Sequence, residues 1–275
     1  KKGIGCWVGN RYYGALVYAD DIVLVSPTVR GLKEMVRTCE HFCDRSDMQF
    51  NPDKSVCICF RRKKCVNLPE IKLCGKLLKW EENIKHLGNY LSSHLSEEKE
   101  ILAKRGDLIG RVNVLLANFC GMPDDVLLRL FFSQCVHPYG CQAWRLKEKS
   151  VNLFCTMYNK CVRRLLKLPY CTHTRFIPPL TDFSSIQEQM HKRVRNLTMK
   201  MLKSDNQNVQ FIAYKGMNDK QSIIGSNMQI IYNFEPVQLS MDVVCIVQAI
   251  MDLRHYDTGL NTADSIALLS YLCTA

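Results

Sequence analysis

The pattern of apolar and polar positions at the start of the chain is that of short extended segments. Residues 4–8 and 11–17 are largely apolar or aromatic and enclose Gly9-Asn10, which predicts a hairpin with a two-residue turn. Within residues 15–25, two apolar runs enclose the polar tip Ala19-Asp20-Asp21. This arrangement predicts a second hairpin directly after the first.

A helix and further extended segments follow. The helix is predicted to begin near Ser26-Pro27-Thr28, and its apolar positions at helical spacing are Leu32, Met35, Val36, Cys39, Phe42 and Cys43. Residues 56–60 alternate as a strand does. A third hairpin is predicted from residues 76–80 and 84–91, with its turn at Glu81-Glu82-Asn83.

After about Ser92 the pattern becomes helical. Four apolar stripes at helical spacing lie in residues 102–119, 126–135, 151–166 and 186–201. The pattern is less regular from about Asp205, where residues 239–253 predict one more helix. The expected fold class is therefore α+β, with antiparallel hairpins and a packed helix in the N-terminal third and an all-α region after it.

Composition and charge indicate an ordinary globular chain with an anionic partner. The 275 residues are 47% hydrophobic and 23% charged, which excludes a disordered chain. The net charge of +11 and the pI near 9.0 are typical of proteins that bind nucleic acid, although a membrane surface or no such partner would also fit. No apolar run reaches the ~18 residues that a membrane span needs.

The 15 cysteines predict neither a disulfide framework nor a zinc site. The chain contains no C-x-x-C pair, and the nearest approach to a ligand set, Cys155, Cys161, Cys171 and His173, has gaps that fit no common zinc finger. We expect nearly all of the cysteines to be small buried apolar residues in a reducing compartment.

The adjacent carboxylates Asp20 and Asp21 are the first candidate for chemistry. Two neighbouring carboxylates repel each other, and a divalent cation offsets that repulsion. Hard oxygen ligands of this kind suit Mg²⁺, which proteins commonly hold with one or two carboxylates together with substrate phosphates. Taken alone, the dipeptide also fits a solvated Asp-Asp turn.

Several motifs in a fixed order decide between these interpretations. They are Tyr18-Ala19-Asp20-Asp21 between apolar strands, Phe50-Asn51-Pro52-Asp53-Lys54-Ser55, His86-Leu87-Gly88-Asn89-Tyr90-Leu91, Tyr139-Gly140-Cys141-Gln142-Ala143-Trp144 and Cys161-Val162-Arg163-Arg164-Leu165-Leu166. In order and spacing, over most of residues 1–200, the chain resembles the reverse transcriptases of non-LTR (LINE-type) retrotransposons.

The resemblance implies roles for individual residues of the catalytic motif. Asp20 would be the main metal ligand and Asp21 the secondary acid, in a site where two Mg²⁺ ions lie ~4 Å apart. Tyr18 would lie beneath the primer end. Lys54 would lie near the pyrophosphate, or it is an exposed lysine at the start of a strand.

The resemblance also implies contacts with nucleic acid. Trp80, Leu87 and Gly88 would shape a hairpin that holds the primer, although Gly88 fits a purely structural glycine equally well. The run Arg61, Arg62, Lys63 and Lys64 would contact phosphates, act as a nuclear signal, or form a solvated loop.

Two predicted helices carry cationic clusters that would follow a template-primer duplex as a thumb. The first cluster is Lys160, Arg163 and Arg164, with Lys167, and the second is Lys192, Arg193, Arg195, Lys200 and Lys203. Aromatic residues such as Tyr12, Tyr13 and Trp144 are expected in the core.

The implied organisation has three parts: residues 1–92 as the later part of a palm domain, 93–204 as a helical thumb-like region that binds nucleic acid, and 205–275 as an extension of unknown role. The implied partners are an RNA template, a DNA primer, deoxynucleoside triphosphates and an upstream part of the same polyprotein, with Mg²⁺ as cofactor and no membrane.

The expected location is a ribonucleoprotein of nucleus and cytoplasm, not a secreted protein. Residue 1 is Lys, so we expect the chain to be the downstream part of a longer reading frame.

One element that the resembled family requires is missing from this sequence. The metal site needs a further aspartate on an earlier strand, and residues 1–17 contain neither Asp nor Glu. We therefore expect an RNA-directed DNA polymerase fragment that is inactive by itself. The alternatives are a non-catalytic module that binds nucleic acid and a decayed copy of the element.

Overall fold

The computed structural model describes residues 4–60 and 68–234, which form two compact units. The first unit ends at Glu97 and includes the short segment Asn206–Asn208, and the second begins at Glu98. The predicted helix at residues 239–253 and the basic run Arg61, Arg62, Lys63 and Lys64 lie outside the described residues. The palm, thumb and extension assignments remain predictions.

The first unit begins with the two hairpins that the sequence predicts. Strands β1 (Trp7–Val8) and β2 (Arg11–Tyr12) pair antiparallel around Gly9-Asn10. Strands β3 (Ala15–Tyr18) and β4 (Asp21–Leu24) pair antiparallel in the second hairpin. Both hairpins are therefore confirmed, with strands shorter than the apolar runs.

Helix α1 (Val29–Arg45) follows where the sequence predicts it. The side chain of Thr28 accepts a hydrogen bond from the backbone N–H of Gly31 at 3.1 Å and caps the first turn. Met35, Val36 and Cys43 form its buried face. The helix is therefore fixed by a local cap and by an apolar stripe.

The remaining strands of the first unit correct the predicted third hairpin. They are β5 (Val56–Ile58), β6 (Lys72–Leu73), β7 (Lys76–Leu77), β8 (Lys79–Glu81), β9 (Asn83–His86) and β10 (Asn89–Ser92). β5 pairs in parallel with β8, while β9 pairs antiparallel with β10. The turn lies at Leu87-Gly88, so the prediction of a turn at Glu81-Glu82-Asn83 is wrong.

Two physical features explain the corrected position of this hairpin. Leu87 and Gly88 have φ values of 47° and 79°, and two successive positive φ angles suit a two-residue hairpin turn. Trp80 is half-buried and packs against a small core, which keeps β8 paired with β5. The buried members of that core are Val36, Cys57, Ile71, Leu73 and Leu78.

The second unit is helical. Its helices are α2 (Glu98–Asn118), α3 (Asp124–Leu130), α4 (Lys149–Leu165), α5 (Ile177–Thr181), α6 (Ile186–Leu202), most of α7 (Gln207–Asn218), and α8 (Ile223–Tyr232). Each of the four predicted stripes lies on a helix, and the second stripe continues from α3 into a π-helical turn, Phe131–Cys135. The sequence pattern did not predict α7 and α8.

One large core holds the helices of the second unit together. Its most fully buried large side chains include Phe131, Trp144, Tyr158 and Phe176, each at most 2% exposed. Asn227 on α8 is also fully buried; its side-chain amide donates to the Trp144 carbonyl at 2.7 Å, and its carbonyl accepts from the Leu146 N–H at 3.0 Å. These paired bonds connect α8 to the segment that precedes α4.

The prediction that nearly all cysteines are buried holds for only half of the twelve described cysteines. Eleven described cysteines are free and six of these are buried, namely Cys43, Cys57, Cys135, Cys141, Cys155 and Cys161. Cys171 is disulfide-bonded, which the cysteine spacing did not predict. Within residues 4–60 and 68–234, no helix has the length and hydropathy required to span a membrane.

Candidate active site

The β3–β4 hairpin presents the two candidate metal ligands in different backbone settings. Tyr18 lies directly opposite Asp21, so the connecting loop is the two residues Ala19-Asp20 rather than the three-residue tip expected from the sequence. Ala19 has φ 52°, a left-handed conformation that costs a residue with a side chain about 1 kcal/mol or more. Asp20 therefore lies on a tight, strained loop, and Asp21 lies on a strand.

The pairing register determines which side chains share a face of this hairpin. Residues directly opposite each other on antiparallel strands project to the same side. Leu16, Tyr18, Asp21 and Val23 therefore share one face, on which Leu16 is 54% exposed and Tyr18 is 67% exposed. This face combines an acid and an aromatic ring on a largely apolar surface that the described residues leave open.

The carboxylates of Asp20 and Asp21 are both exposed. Within the described residues, neither side chain has a hydrogen-bond or salt-bridge partner. Two adjacent, unpaired oxygen donors fit the ligand preference of Mg²⁺. No group of three or more His, Cys, Asp or Glu side chains that could hold a metal ion occurs in residues 4–60 and 68–234. The hairpin therefore offers two exposed carboxylates but not a set of three ligands within the described residues.

Lys54 lies at a well-ordered turn before β5. The side chain of Asn51 accepts from the Asp53 N–H at 3.0 Å, and its backbone carbonyl accepts from the Ser55 hydroxyl at 2.9 Å. Asp53 forms an ion pair with Lys76. Lys54 is exposed and has no ion-pair partner among the described residues. Within the described residues no hydrogen bond or ion pair joins Lys54 to Asp20 or Asp21.

The three residues predicted to shape a primer-holding hairpin are in two places. Leu87 and Gly88 form the turn of the β9–β10 hairpin. Leu87 has a left-handed backbone conformation and is 41% exposed. Trp80 is on β8, and its indole N–H donates to the Pro69 carbonyl at 3.0 Å. Trp80 therefore supports the core beneath these strands and is not part of that hairpin.

The predicted cationic cluster on α4 divides into different environments. Lys160 is exposed, and Arg164 donates to the Asn113 side chain on α2 at 3.0 Å. Arg163 donates through Nε and Nη2 to the Thr172 carbonyl at 2.9 and 2.8 Å, and through Nη2 to the Thr174 hydroxyl at 3.2 Å. The guanidinium of Arg163 therefore holds a loop, a role that its charge alone did not indicate.

Helix α6 carries the more continuous cationic surface. Lys192, Arg193, Arg195, Lys200 and Lys203, the last at the helix C-cap, are exposed, and none has a salt bridge within the described residues. The sequence contains no Asp or Glu between Glu188 and Asp205. Ile186, Met190 and Val194 bury the opposite face. The packing of the helix therefore keeps these five cations at the surface.

The buried thiols of the second unit are not candidates for catalysis or metal binding. Burial raises the pKa of Cys141 and of Cys155 to about 12 and that of Cys161 to about 11. A thiol must lose its proton to act as a nucleophile or to bind a metal. These cysteines therefore act as apolar core residues.

The chain is similar to one curated protein, a probable RNA-directed DNA polymerase from transposon BS of Drosophila melanogaster. The two are 28% identical over 189 residues, which is 64% of this chain and 21% of that protein. The chain thus spans about a fifth of the relative's length. No family model and no solved structure matches the chain. The similarity confirms the predicted resemblance to transposon reverse transcriptases.

Proposed function

We propose that this chain is the later part of the palm and the thumb of an RNA-directed DNA polymerase of a non-LTR retrotransposon. The observation that carries the proposal is the Asp20-Asp21 pair at the tip of an open β-hairpin, within a chain similar to a transposon polymerase. The order of the remaining motifs agrees with this assignment.

In this proposal Asp20 and Asp21 contribute ligands to the metal site of nucleotidyl transfer. When bound, Mg²⁺ would supply charge stabilisation for the attacking and departing oxygens. Asp20 lies on the loop between the paired strands, whereas the direction of Asp21 is set by its place opposite Tyr18. Lys54 would offset negative charge near the leaving pyrophosphate, and Tyr18 would support the primer end.

The open hairpin face explains why a further segment is needed. Leu16 and Tyr18 present apolar surface beside the acids, and a strand bearing an additional aspartate would cover that surface and complete the ligand set. We propose that this strand comes from an upstream part of the same polyprotein. The chain alone is then expected to be inactive.

Primer extension tests the catalytic part of the proposal. In the polymerase that contains this chain, Asp20→Asn should reduce Mg²⁺-dependent extension of a DNA primer on an RNA template by at least two orders of magnitude, because it removes an anionic metal ligand. Asp44→Asn, which changes an exposed acid on α1, is the matched control and should keep full activity. Equal activity of wild type and Asp20→Asn would refute the assignment.

Salt-dependent binding tests the thumb part independently of catalysis. If α6 contacts phosphates, changing Lys192, Lys200 and Lys203 to Gln should reduce the slope of log K against log salt by roughly 3 for a duplex, since each contact contributes about 0.9. Lys33, Lys72 and Lys79 changed to Gln provide the control from exposed positions in the first unit. An unchanged slope would contradict the thumb role, whatever the extension assay shows.

A further inference from the structure

The loop after α4 contains a turn with an aromatic residue near its tip. The Thr172 N–H donates to the Pro169 carbonyl at 3.1 Å, which closes a four-residue turn with Tyr170 at its second position. Tyr170 is 82% exposed, the highest value among the exposed large apolar side chains of the described residues. A ring this exposed packs against little of the described protein, so its apolar faces are available to another molecule.

Hydrogen bonds from Arg163 fix the conformation of this turn. Arg163 donates to the Thr172 carbonyl and the Thr174 hydroxyl, and Thr172 itself is 1% exposed. The Leu168 N–H donates to the Arg163 carbonyl at 2.8 Å, so the same residue fixes both ends of the loop. Tyr170 is therefore presented on an ordered support and does not lie on a loose loop.

The sequence that leads into this turn is cationic. Lys160, Arg164 and Lys167 are exposed on the last turns of α4 and just after it. The sequence has no Asp or Glu between Glu148 and Asp182. Proteins that bind single-stranded nucleic acid combine a cationic surface with aromatic side chains on which unpaired bases stack. An exposed ring that follows these exposed cations in the sequence, with no acid in the same stretch, matches that combination.

We propose that Tyr170 is a stacking platform for an unpaired base of single-stranded nucleic acid. The cations at the end of α4 contact the adjoining phosphates, and Arg163 acts as a positioning residue that holds the turn. The inference rests on the proposed function only in that the chain binds nucleic acid, and it assigns to the second unit a single-strand contact separate from the duplex contact of α6.

The test compares single-stranded and duplex probes on the whole chain. Fluorescence anisotropy is measured with an oligo(dT) of about 12 nucleotides, within the usual range of single-strand site sizes, and with a blunt duplex of equal length. Tyr170→Ala should weaken single-strand binding roughly tenfold, which lies within the range that stacking of one base on an aromatic residue contributes. Duplex affinity should be unchanged, and Tyr170→Phe should bind like wild type.

A second readout and a matched control keep the result specific. In a single strand carrying 2-aminopurine, wild type should quench the fluorescence of the bound base and Tyr170→Ala should not. Tyr232→Ala removes another highly exposed tyrosine, on α8, and should leave both affinities unchanged. Equal thermal unfolding of all variants is expected because both rings are exposed.

The outcomes separate this inference from the proposed function. If wild type binds neither probe, nucleic-acid binding by the chain is refuted, and the stacking role with it. If wild type binds both and Tyr170→Ala binds both equally well, only the stacking role is overturned. If Tyr170→Ala weakens both probes by the same factor, the contact is not specific for unpaired bases and the proposal is likewise overturned.

Discussion

The β3–β4 hairpin and the helical second unit solve the problem of apolar surface in opposite ways. The second unit buries its apolar stripes in one continuous core around Phe131 and Tyr158. The hairpin leaves Leu16, Val17 and Tyr18 more than half exposed. The helical unit thus covers its own apolar stripes, whereas the hairpin exposes apolar side chains on both faces, as expected if a further segment packs there in the proposed polymerase.

The largest expected effect comes from removing core volume in the second unit. Phe131→Ala should lower the free energy of unfolding by about 4 kcal/mol, because a fully buried ring is replaced by a cavity. Leu16→Ala on the hairpin should change it by less than about 0.5 kcal/mol. Denaturant unfolding of both variants checks the contrast. A similar loss of unfolding free energy in both would show that Leu16 is buried in the folded protein.

A smaller loss is expected where a charged group supports a loop. Arg163→Gln should lower the free energy of unfolding of the second unit by about 2 kcal/mol, because the Thr172 carbonyl loses charge-assisted hydrogen bonds. The exposed Lys160→Gln is the matched control and should have no measurable effect. A neutral Arg163→Gln would mean that the arginine is free for phosphate contact, as its sequence position first indicated.

A gain is expected in the first unit, where backbone strain lies at a turn. Leu87→Asn should stabilise the β9–β10 hairpin by roughly 1 kcal/mol, because Asn-Gly is the favoured pair for a turn with two positive φ angles. Amide hydrogen exchange along β9 and β10 measures the change. Gly88→Ala should act in the opposite direction, and increased protection in that variant would contradict the described turn.

The smallest effect concerns pH. His191 on α6 is half-buried against Phe234, and burial lowers its pKa below the ordinary value of 6.5. The unfolded chain therefore binds the proton more readily, and stability should decrease as pH falls below about 6.5. Thermal unfolding between pH 7.5 and 5 should show less loss for His191→Gln than for wild type; equal losses would exclude the histidine as a contributor.

Local patterns predicted what local interactions determine. The apolar stripes located α1, α2, α4 and α6, and residues 15–25 located the hairpin that carries the acids. Caps such as Thr28 on α1, and the reciprocal bonds between Ser185 and Glu188 on α6, are likewise local. Such features depend on residues three or four positions apart, which a single sequence displays directly.

The errors arose where the partner is distant in sequence. The parallel pairing of β5 with β8 joins Val56 to Lys79, and no local pattern indicates it. Without that pairing, the pattern of residues 76–91 is that of one hairpin, which Trp80 is then predicted to shape. The role of Arg163 was missed for a similar reason, because charge on a helix does not show which loop carbonyl the side chain will reach.

The position of the two acids on the β3–β4 hairpin depends on the number of residues in its loop as well as on the acids themselves. Side chains along a strand alternate between faces, so inserting a single residue after Ala19 would either make a three-residue loop, which moves Asp20 relative to Asp21, or shift the register of the ladder. A shift would carry Asp21 to the side opposite Tyr18 while leaving every amino acid in place. Spacing at this position is thus as informative as residue identity: a homologous sequence that keeps both aspartates but lengthens the loop should have lost the geometry.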